Sequence, residues 1–310
     1  MKYAIFGTGG VGGYFGGRLA QVGKDVTFIA RGEHLRAIRE RGLRVESIYG
    51  GFTVQPAQAT DDPASVGAVD VVLVAVKAWQ LGEAIQQMKP LVGAHTSVVW
   101  LGNGIEGTDR FVTAFGRERV VGGLCRISSF IGGPGLVQHV GVQPYIAFGE
   151  LDQSHSPRVE ALRAAFARFP ELRVEVPANI HVTLWEKFIF IAAVSGVGTV
   201  TRQPMGVYRA IPESRAMLVT ALEETAAVGR ARGVPLDAEV AQKILANIDQ
   251  SAPSLLASMQ KDIIEGRPSE LEAQTGAVTR LGHTLGVRTP THDFIYAALL
   301  PQERKARETN

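Results

Sequence analysis

The sequence predicts two fold classes in succession: an α/β domain with a largely parallel sheet over residues 1–178, then an all-helical domain over residues 179–310. Three observations carry this expectation. A strand, a glycine-rich turn and a helix open the chain. Strand-like and helix-like patterns then alternate as far as Pro177. From Asn179 onward the apolar residues recur only at helical spacing.

The first element is Lys2–Phe6 (KYAIF), a short apolar run of strand formers. It runs directly into Gly7-Thr8-Gly9-Gly10-Val11-Gly12, which fits G-x-G-x-x-G, and then into a helical pattern from Tyr14 to Val22 that Gly23 stops. Strand, glycine turn and helix in that order form the Rossmann-type dinucleotide fingerprint. In that reading Gly7 permits the turn, Gly9 lets the backbone approach a pyrophosphate, and Gly12 lets the helix pack close to the strand. The helix N-terminus then offers its unpaired N–H groups to the phosphates. A merely flexible glycine-rich turn is the plain alternative.

The second strand, Asp25–Ala30, ends on Arg31, where an NAD-binding chain usually carries an acid for the ribose 2′-hydroxyl. A guanidinium suits a 2′-phosphate, so the expected cofactor is NADP(H). A solvated loop arginine is the competing reading. A helix over Glu33–Arg41, stopped by Gly42, and a strand pair near Leu43–Ile48 and Phe52–Val54 come next. Asp70–Val76 is nearly continuous in apolar residues, as a strand buried on both faces should be. Lys77 follows at the strand edge that faces ligands in such sheets, placed to meet a phosphate. Ser97–Leu101 is another buried strand, and Asn103 just beyond it either lends its amide to cofactor and substrate or simply makes an Asn-Gly turn. Val120–Phe148 reads as several short antiparallel hairpins broken by Gly132-Gly133-Pro134-Gly135 and Gly141; a helix over Ser156–Phe169 and a strand over Arg173–Val176 close the domain.

The helices expected after Asn179 are Ile180–Val197, Glu213–Arg232, Asp237–Ile248, Ser254–Glu265, Ser269–Leu285 and one beginning after Pro290, with Gly233, Gly266 and Gly286 in C-terminal capping positions. The Glu213–Arg232 helix suits either core packing or a homodimer seam.

Composition bounds the function. With 45% hydrophobic and 20% charged residues the chain reads as an ordinary globular protein, and a net charge of +2 without a basic cluster argues against nucleic acid as a partner. The basic end Arg304-Lys305-Ala306-Arg307, mixed with Glu303 and Glu308, reads as solvated. The one cysteine, Cys125, lies in a strand-like run and reads as a small buried residue. The most apolar run, Phe188–Val200, is too short and glycine-interrupted for a bilayer, and no signal peptide precedes the first strand, so the expectation is a cytoplasmic protein without a membrane segment. The seven histidines form no ligand-like cluster, so no metal is implied.

Two charged residues stand out in the helical half. Lys187 sits in Leu184-Trp185-Glu186-Lys187-Phe188-Ile189-Phe190-Ile191, a helix apolar nearly all round. Burial lowers a lysine's pKa, which suits a proton donor to a developing alkoxide; snorkelling or ion pairing is the equal alternative. Spacing of four puts Lys187, Ile191 and Ser195 on one helix face. Glu270 follows Ser269, a plausible N-cap, so it is expected in the first turn of a helix, where a carboxylate is favoured on structural grounds alone.

Together these stretches resemble the ketopantoate reductases (2-dehydropantoate 2-reductases). The resemblance covers nearly the whole chain and rests on GTGGVGG, Arg31, Val76–Gln80 (VKAWQ), Asn103-Gly104, Leu184–Lys187 (LWEK), Ser258–Asp262 (SMQKD) and Gly266–Glu272 (GRPSELE). It implies NADPH along Gly7–Gly12, with Arg31 and Lys77 at the 2′-phosphate end and Asn103 near nicotinamide and substrate. It implies Lys187 as general acid, Glu270 as an active-site carboxylate, and Ser195 and Ser258 among the substrate contacts. The reaction implied is hydride transfer to a 2-oxo acid, giving a 2-hydroxy acid, in pantothenate synthesis. The chain departs from the family where asparagines are usual: those positions read Ile191, Ser195 and Met205. A reductase of another 2-oxo acid or ketone, and a non-catalytic NADP(H) sensor, are the alternatives.

Overall fold

The computed structural model describes residues 1–309, which divide into two compact units. The first holds Met1–Gly102 and Gly107–Ile180; the second holds Asn103–Glu106 and the chain from His181 onward.

In the first unit the elements are β1 (Lys2–Phe6), α1 (Gly10–Gln21), β2 (Asp25–Ile29), α2 (Gly32–Arg41), β3 (Leu43–Ser47), β4 (Phe52–Val54), β5 (Gln58–Thr60), β6 (Val69–Val74), α3 (Leu81–Gln87), β7 (Val92–Trp100), α4 (Gly107–Phe115), β8 (Val120–Gly133), β9 (Leu136–Glu150), α5 (Pro157–Phe166) and β10 (Arg173–Glu175). All the strands join one sheet in the order β4-β3-β9-β8-β7-β6-β1-β2-β5, with β10 also on β9. From β5 through β2, β1, β6 and β7 to β8 the pairing is parallel. The hairpins expected over Val120–Phe148 turn out to be one. β8 and β9 run 14 and 15 residues and pair antiparallel along most of their length. Gly141 does not end a strand: at φ +76° it lies in a bulge where the register moves from Arg126↔Tyr145 to Ser128↔Val140. β9 then pairs β3 through residues 136–139 and β10 through residues 145–147. The short polar strand β5 carries no periodicity that a sequence reading could detect.

Helix α1 is enclosed by this curled sheet. Five of its twelve residues are glycine. A Cβ on Gly12 would stand 2.2 Å from the Gly7 carbonyl oxygen, and one on Gly16 would meet Ile5 and Phe28, so this side of the helix lies hard against β1 and β2. Gly13 and Gly17 face Val137 and Phe52 in the same way on the β9, β3 and β4 side. Near its C-terminal end, buried Arg18 lies over the Phe52 ring at 4.5 Å and pairs with Glu171 at 2.7 Å. Cys125 is buried, as its sequence context suggests, with its thiol on the Leu101 carbonyl.

The second unit contains α6 (Ile180–Thr201), α7 (Met205–Tyr208), α8 (Pro212–Ala231), α9 (Val240–Gln250), α10 (Ser258–Ile264), α11 (Thr275–Leu285) and α12 (Pro290–Thr309). At 22 residues α6 outruns its expected end and is long and apolar enough to cross a membrane by length and composition. Two thirds of its most apolar stretch is buried, with Phe188, Ile189, Ala192, Ala193, Val194 and Val197 in the unit's core. α10 starts four residues later than the pattern suggests. The reason is that the backbone of 253–255 is already used: Pro253 and Leu255 carbonyls accept the N–H groups of Gly206 and Met205 at the start of α7. One further expectation fails. Ser269 does not cap a helix, because residues 269–274 form a turn and α11 begins only at Thr275. The basic end is helical, since α12 continues to Thr309; Arg304, Lys305 and Arg307 are exposed as expected, while Glu303 and Ala306 are buried.

Glu224 on α8 ties down the start of α12. Its carboxylate accepts the backbone N–H groups of Thr291 and His292 at 2.8 and 3.1 Å and faces the His292 Nδ1 at 2.8 Å. Burial pushes the Glu224 pKa up, but these hydrogen bonds outweigh it and hold it below the usual carboxylate value. The carboxylate therefore stabilises the fold above about pH 4.3 and loses that contribution as pH falls through its depressed folded-state value. Glu224→Gln should cost roughly 1–3 kcal/mol at pH 7, with the difference from wild type shrinking below pH 4, as read by urea unfolding at both pH values. Gly12→Ala should cost about 1–3 kcal/mol through its clash with Gly7. The same change at Gly9, where a Cβ would meet nothing within 4 Å, should stay within about 0.5 kcal/mol in the same assay.

Candidate active site

Three adjacent parallel strands of the first unit bring their C-terminal edges, and the residues that follow them, to one side of the sheet. Gly7 follows β1, Arg31 lies two residues past β2, and Lys77 lies three past β6. The turn after β1 is built as a cradle. Gly7 holds φ +95°, a conformation that disfavours other residues. Thr8 donates its hydroxyl to the Ile29 carbonyl at 3.0 Å, tying the turn to β2. Gly10 lies against the Ser129 backbone on β8, and Val11 packs partly buried on the core. Gly9 is different from its neighbours: it faces open space, and as the N-cap residue of α1 it brings no side chain to the helix's first N–H groups. A pyrophosphate fits such a turn, with the peptide N–H groups and the positive helix end turned to it.

Arg31 has an exposed guanidinium that donates to Glu83 Oε1 at 3.1 Å and Gln87 Oε1 at 2.6 Å on α3. Gln87 in turn donates to the same Glu83 oxygen at 2.7 Å. The Lys77 backbone N–H is taken by Gln80 Oε1 at 3.1 Å, which fixes the short turn after β6.

The helical unit collects a separate polar group. Asn103 donates its side-chain amide to Glu270 Oε2 at 3.0 Å, across 167 residues of sequence. The Asn-Gly pair is thus more than a turn. Gly104, at φ +97°, lets the backbone come so close to the 270–274 turn that a Cβ would stand 2.8 Å from the Ala273 carbonyl. Arg280 adds a clamp, reaching Glu106 at 2.7 Å and Glu272 at 2.8 Å. These contacts explain why 103–106 groups with the helices, a membership that no change of composition marks in the sequence.

Glu270 is 3% exposed, in the turn ahead of α11 and not in a first helical turn. The turn is pinned from α12. Glu303 accepts the Ser269 N–H at 3.1 and 3.2 Å and its hydroxyl at 2.5 Å, while the same hydroxyl accepts the Leu271 N–H at 3.1 Å. Sequence reading missed Glu303. The available signal was its spacing of four from Arg307, with which it pairs at 2.7 Å.

Lys187 is half-buried on α6, as is Ile191 one turn later, while Ser195 on the same face is buried. Ser258 is exposed as the first residue of α10. Met205 is fully buried among core side chains, so it packs the unit and does not stand in for a pocket asparagine.

Comparison with known proteins agrees with this layout. The family described as Ketopantoate reductase PanE/ApbA matches residues 3–153, and Ketopantoate reductase PanE/ApbA C terminal matches residues 179–303. The chain is 31% identical over 299 residues to the Uncharacterized oxidoreductase YkpB of Bacillus subtilis (strain 168), covering 96% of this chain and 98% of that protein. The crystal structure of a PanE/ApbA family ketopantoate reductase from Ralstonia eutropha JMP134 matches with TM-score 0.89 at 31% identity, over 99% of this chain and 100% of the other. A ternary structure of D-mandelate dehydrogenase with NADH and anilino(oxo)acetate matches with TM-score 0.86 at 26% identity, again over 99% of this chain and 100% of the other. With both halves matched in order, this chain belongs to the ketopantoate reductase PanE/ApbA family and is a pyridine-nucleotide-dependent oxidoreductase acting on CH–OH groups.

Proposed function

We propose that the chain reduces a 2-oxo acid to the 2-hydroxy acid with NADPH, and that 2-dehydropantoate, a precursor of pantothenate, is its first candidate substrate. The observation that carries the reading is the Asn103–Glu270 hydrogen bond in a helical unit that also presents Lys187 half-buried on its core helix.

Bound NADPH supplies the hydride. Gly7, Thr8, Gly9, Gly10, Val11 and Gly12 hold its pyrophosphate, with Gly9 giving the close approach and the α1 N-terminus the complementary charge. Arg31 and Lys77 meet the 2′-phosphate end. Lys187 gives a proton from Nζ to the carbonyl oxygen as negative charge develops there, and solvent replaces it. Glu270 fixes the rotamer of Asn103 by accepting its amide N–H, so the remaining amide groups are oriented for nicotinamide and substrate. Ser258 and Ser195 complete the substrate contacts, Ser258 on the substrate carboxylate.

A second reading keeps the chemistry and changes the substrate. Ile191 stands half-buried one turn from Lys187 and brings no hydrogen-bonding group, which favours a 2-oxo acid with an apolar side chain. The likeness to D-mandelate dehydrogenase with NADH and anilino(oxo)acetate supports the same direction, and also supports testing NADH.

The experiment is NADPH and NADH oxidation with 2-dehydropantoate and with 2-oxo-2-phenylacetate. Faster turnover of 2-dehydropantoate with NADPH upholds the first reading, and faster turnover of the aryl acid upholds the second. Tight NADPH binding without turnover of any 2-oxo acid would leave a cofactor-binding sensor. Lys187→Ala should lower kcat by roughly 100- to 10,000-fold while NADPH still binds, as read by fluorescence titration. Arg31→Ala should weaken NADPH by more than about tenfold and NADH by less than about threefold; equal losses would remove the 2′-phosphate role.

A further inference from the structure

We infer that Glu303, near the end of the last helix, is a positioning residue that sets the Glu270 carboxylate; the inference rests on Glu270 acting at the substrate side as proposed above. Glu303 is 2% exposed, in a segment whose neighbours Arg304 and Lys305 are solvated. A carboxylate buried in that setting needs hydrogen-bond partners for its oxygens. It finds them on one short turn: the Ser269 N–H and hydroxyl, with Arg307 completing the set from its own helix.

The placement of those partners carries the argument. Ser269 immediately precedes Glu270, and its hydroxyl passes the constraint to the residue after Glu270 by accepting the Leu271 N–H at 3.1 Å. Arg307 donates to the Ser269 carbonyl at 3.0 Å, fixing the peptide that leads into Glu270. The pair from α12 thus holds Ser269, and Ser269 in turn holds the backbone beyond Glu270. Beyond it, the Glu270 carboxylate takes the Asn103 amide at 3.0 Å. The run Glu303, Ser269, Glu270, Asn103 links the C-terminal helix to a group assigned to nicotinamide and substrate. Glu303 thus reaches the residue before Glu270 directly and the residue after it through the Ser269 hydroxyl, which puts its carboxylate in place to set the Glu270 backbone.

The test is a double-mutant cycle on the full-length protein, using NADPH and whichever of 2-dehydropantoate or 2-oxo-2-phenylacetate turns over faster. Glu303→Gln should lower kcat by about ten- to thirtyfold and leave the NADPH Kd within about twofold, since a carboxylate displaced by a fraction of an ångström loses catalytic geometry without touching the cofactor turn. Glu303→Asp should recover part of the loss. In a Glu270→Gln background, Glu303→Gln should cost less than about twofold more, because the group it positions is already gone. Full additivity of the two losses, or a fall in thermal stability with unchanged kcat, would make Glu303 a structural anchor only and overturn the inference. A Glu270→Gln protein as active as wild type would instead remove Glu270 from the mechanism, and Glu303's role with it. If Glu303→Gln does not fold, Ser269→Ala removes the hydroxyl link alone and must show the same kcat loss and the same lack of additivity.

Discussion

The structure depends on how closely the backbone of α1 is approached from two sides. Glycine inside a helix is unfavourable by roughly 1 kcal/mol per residue relative to alanine, so a helix with five glycines in twelve residues has little stability of its own. What it gains is contact. Gly12 and Gly16 bring β1 and β2 against its backbone, and Gly13 and Gly17 bring in Val137 and Phe52 from the opposite arm of the sheet. A flat parallel sheet supplies only the first of these surfaces. The second requires the sheet to curl, and the long β8–β9 hairpin carries the pairing round to β3 and β4. The same enclosure fixes the turn at the helix start. Gly10 is wedged on β8 and Thr8 is tied to β2, while Gly9 alone faces outward.

The helical unit meets a related need with carboxylates. Glu224, Glu270 and Glu303 are each less than 8% exposed, and Glu224 and Glu303 accept backbone N–H groups. Glu224 reaches the N-terminus of α12, where the helix dipole favours a negative charge. Glu303 reaches out from that helix to the turn at 269. The helix is therefore fastened at its start and near its end, and the turn bearing Glu270 takes its position from the second attachment. Segment 103–106 joins this assembly through Asn103, Gly104 and Glu106, which is how an amide that follows β7 in sequence comes to rest on a carboxylate of the helical unit.

Much of this was legible beforehand, for reasons that can be stated residue by residue. Lys2–Phe6 and Val69–Val74 are buried parallel strands and read as apolar runs, and Gly7–Gly12 carries its geometry in its glycines. The C-terminal glycines Gly233, Gly266 and Gly286 all adopt positive φ, as capping positions demand. What escaped was decided by tertiary pairing. The sequence around Gly141 looks like a strand break because a bulge and a break use the same residue. Ser269 looks like an N-cap because its hydroxyl does satisfy a nearby N–H, but that N–H belongs to a turn. Glu303 looks solvated because only two residues among its neighbours, itself and Ala306, turn inward. Met205, aligned by spacing with a pocket asparagine, proves to be core.

The cofactor edge shows why a residue type alone does not settle nucleotide choice. Arg31 replaces the acid that would accept a ribose hydroxyl, but the acid is supplied from elsewhere: Glu83 on α3 lies 3.1 Å from the guanidinium, with Gln87 bonded to both. An exposed ion pair of this kind is worth at most about 1 kcal/mol, so a 2′-phosphate, with more charge and a matching geometry, can draw the guanidinium away from Glu83. An unphosphorylated ribose need not compete with it at all, since the pair can stay closed while Glu83 and Gln87 remain within the same polar group. The choice between NADPH and NADH at this edge is therefore set by the difference between two modest electrostatic terms, and Glu83, which the fingerprint does not contain, belongs to that balance as much as Arg31 does.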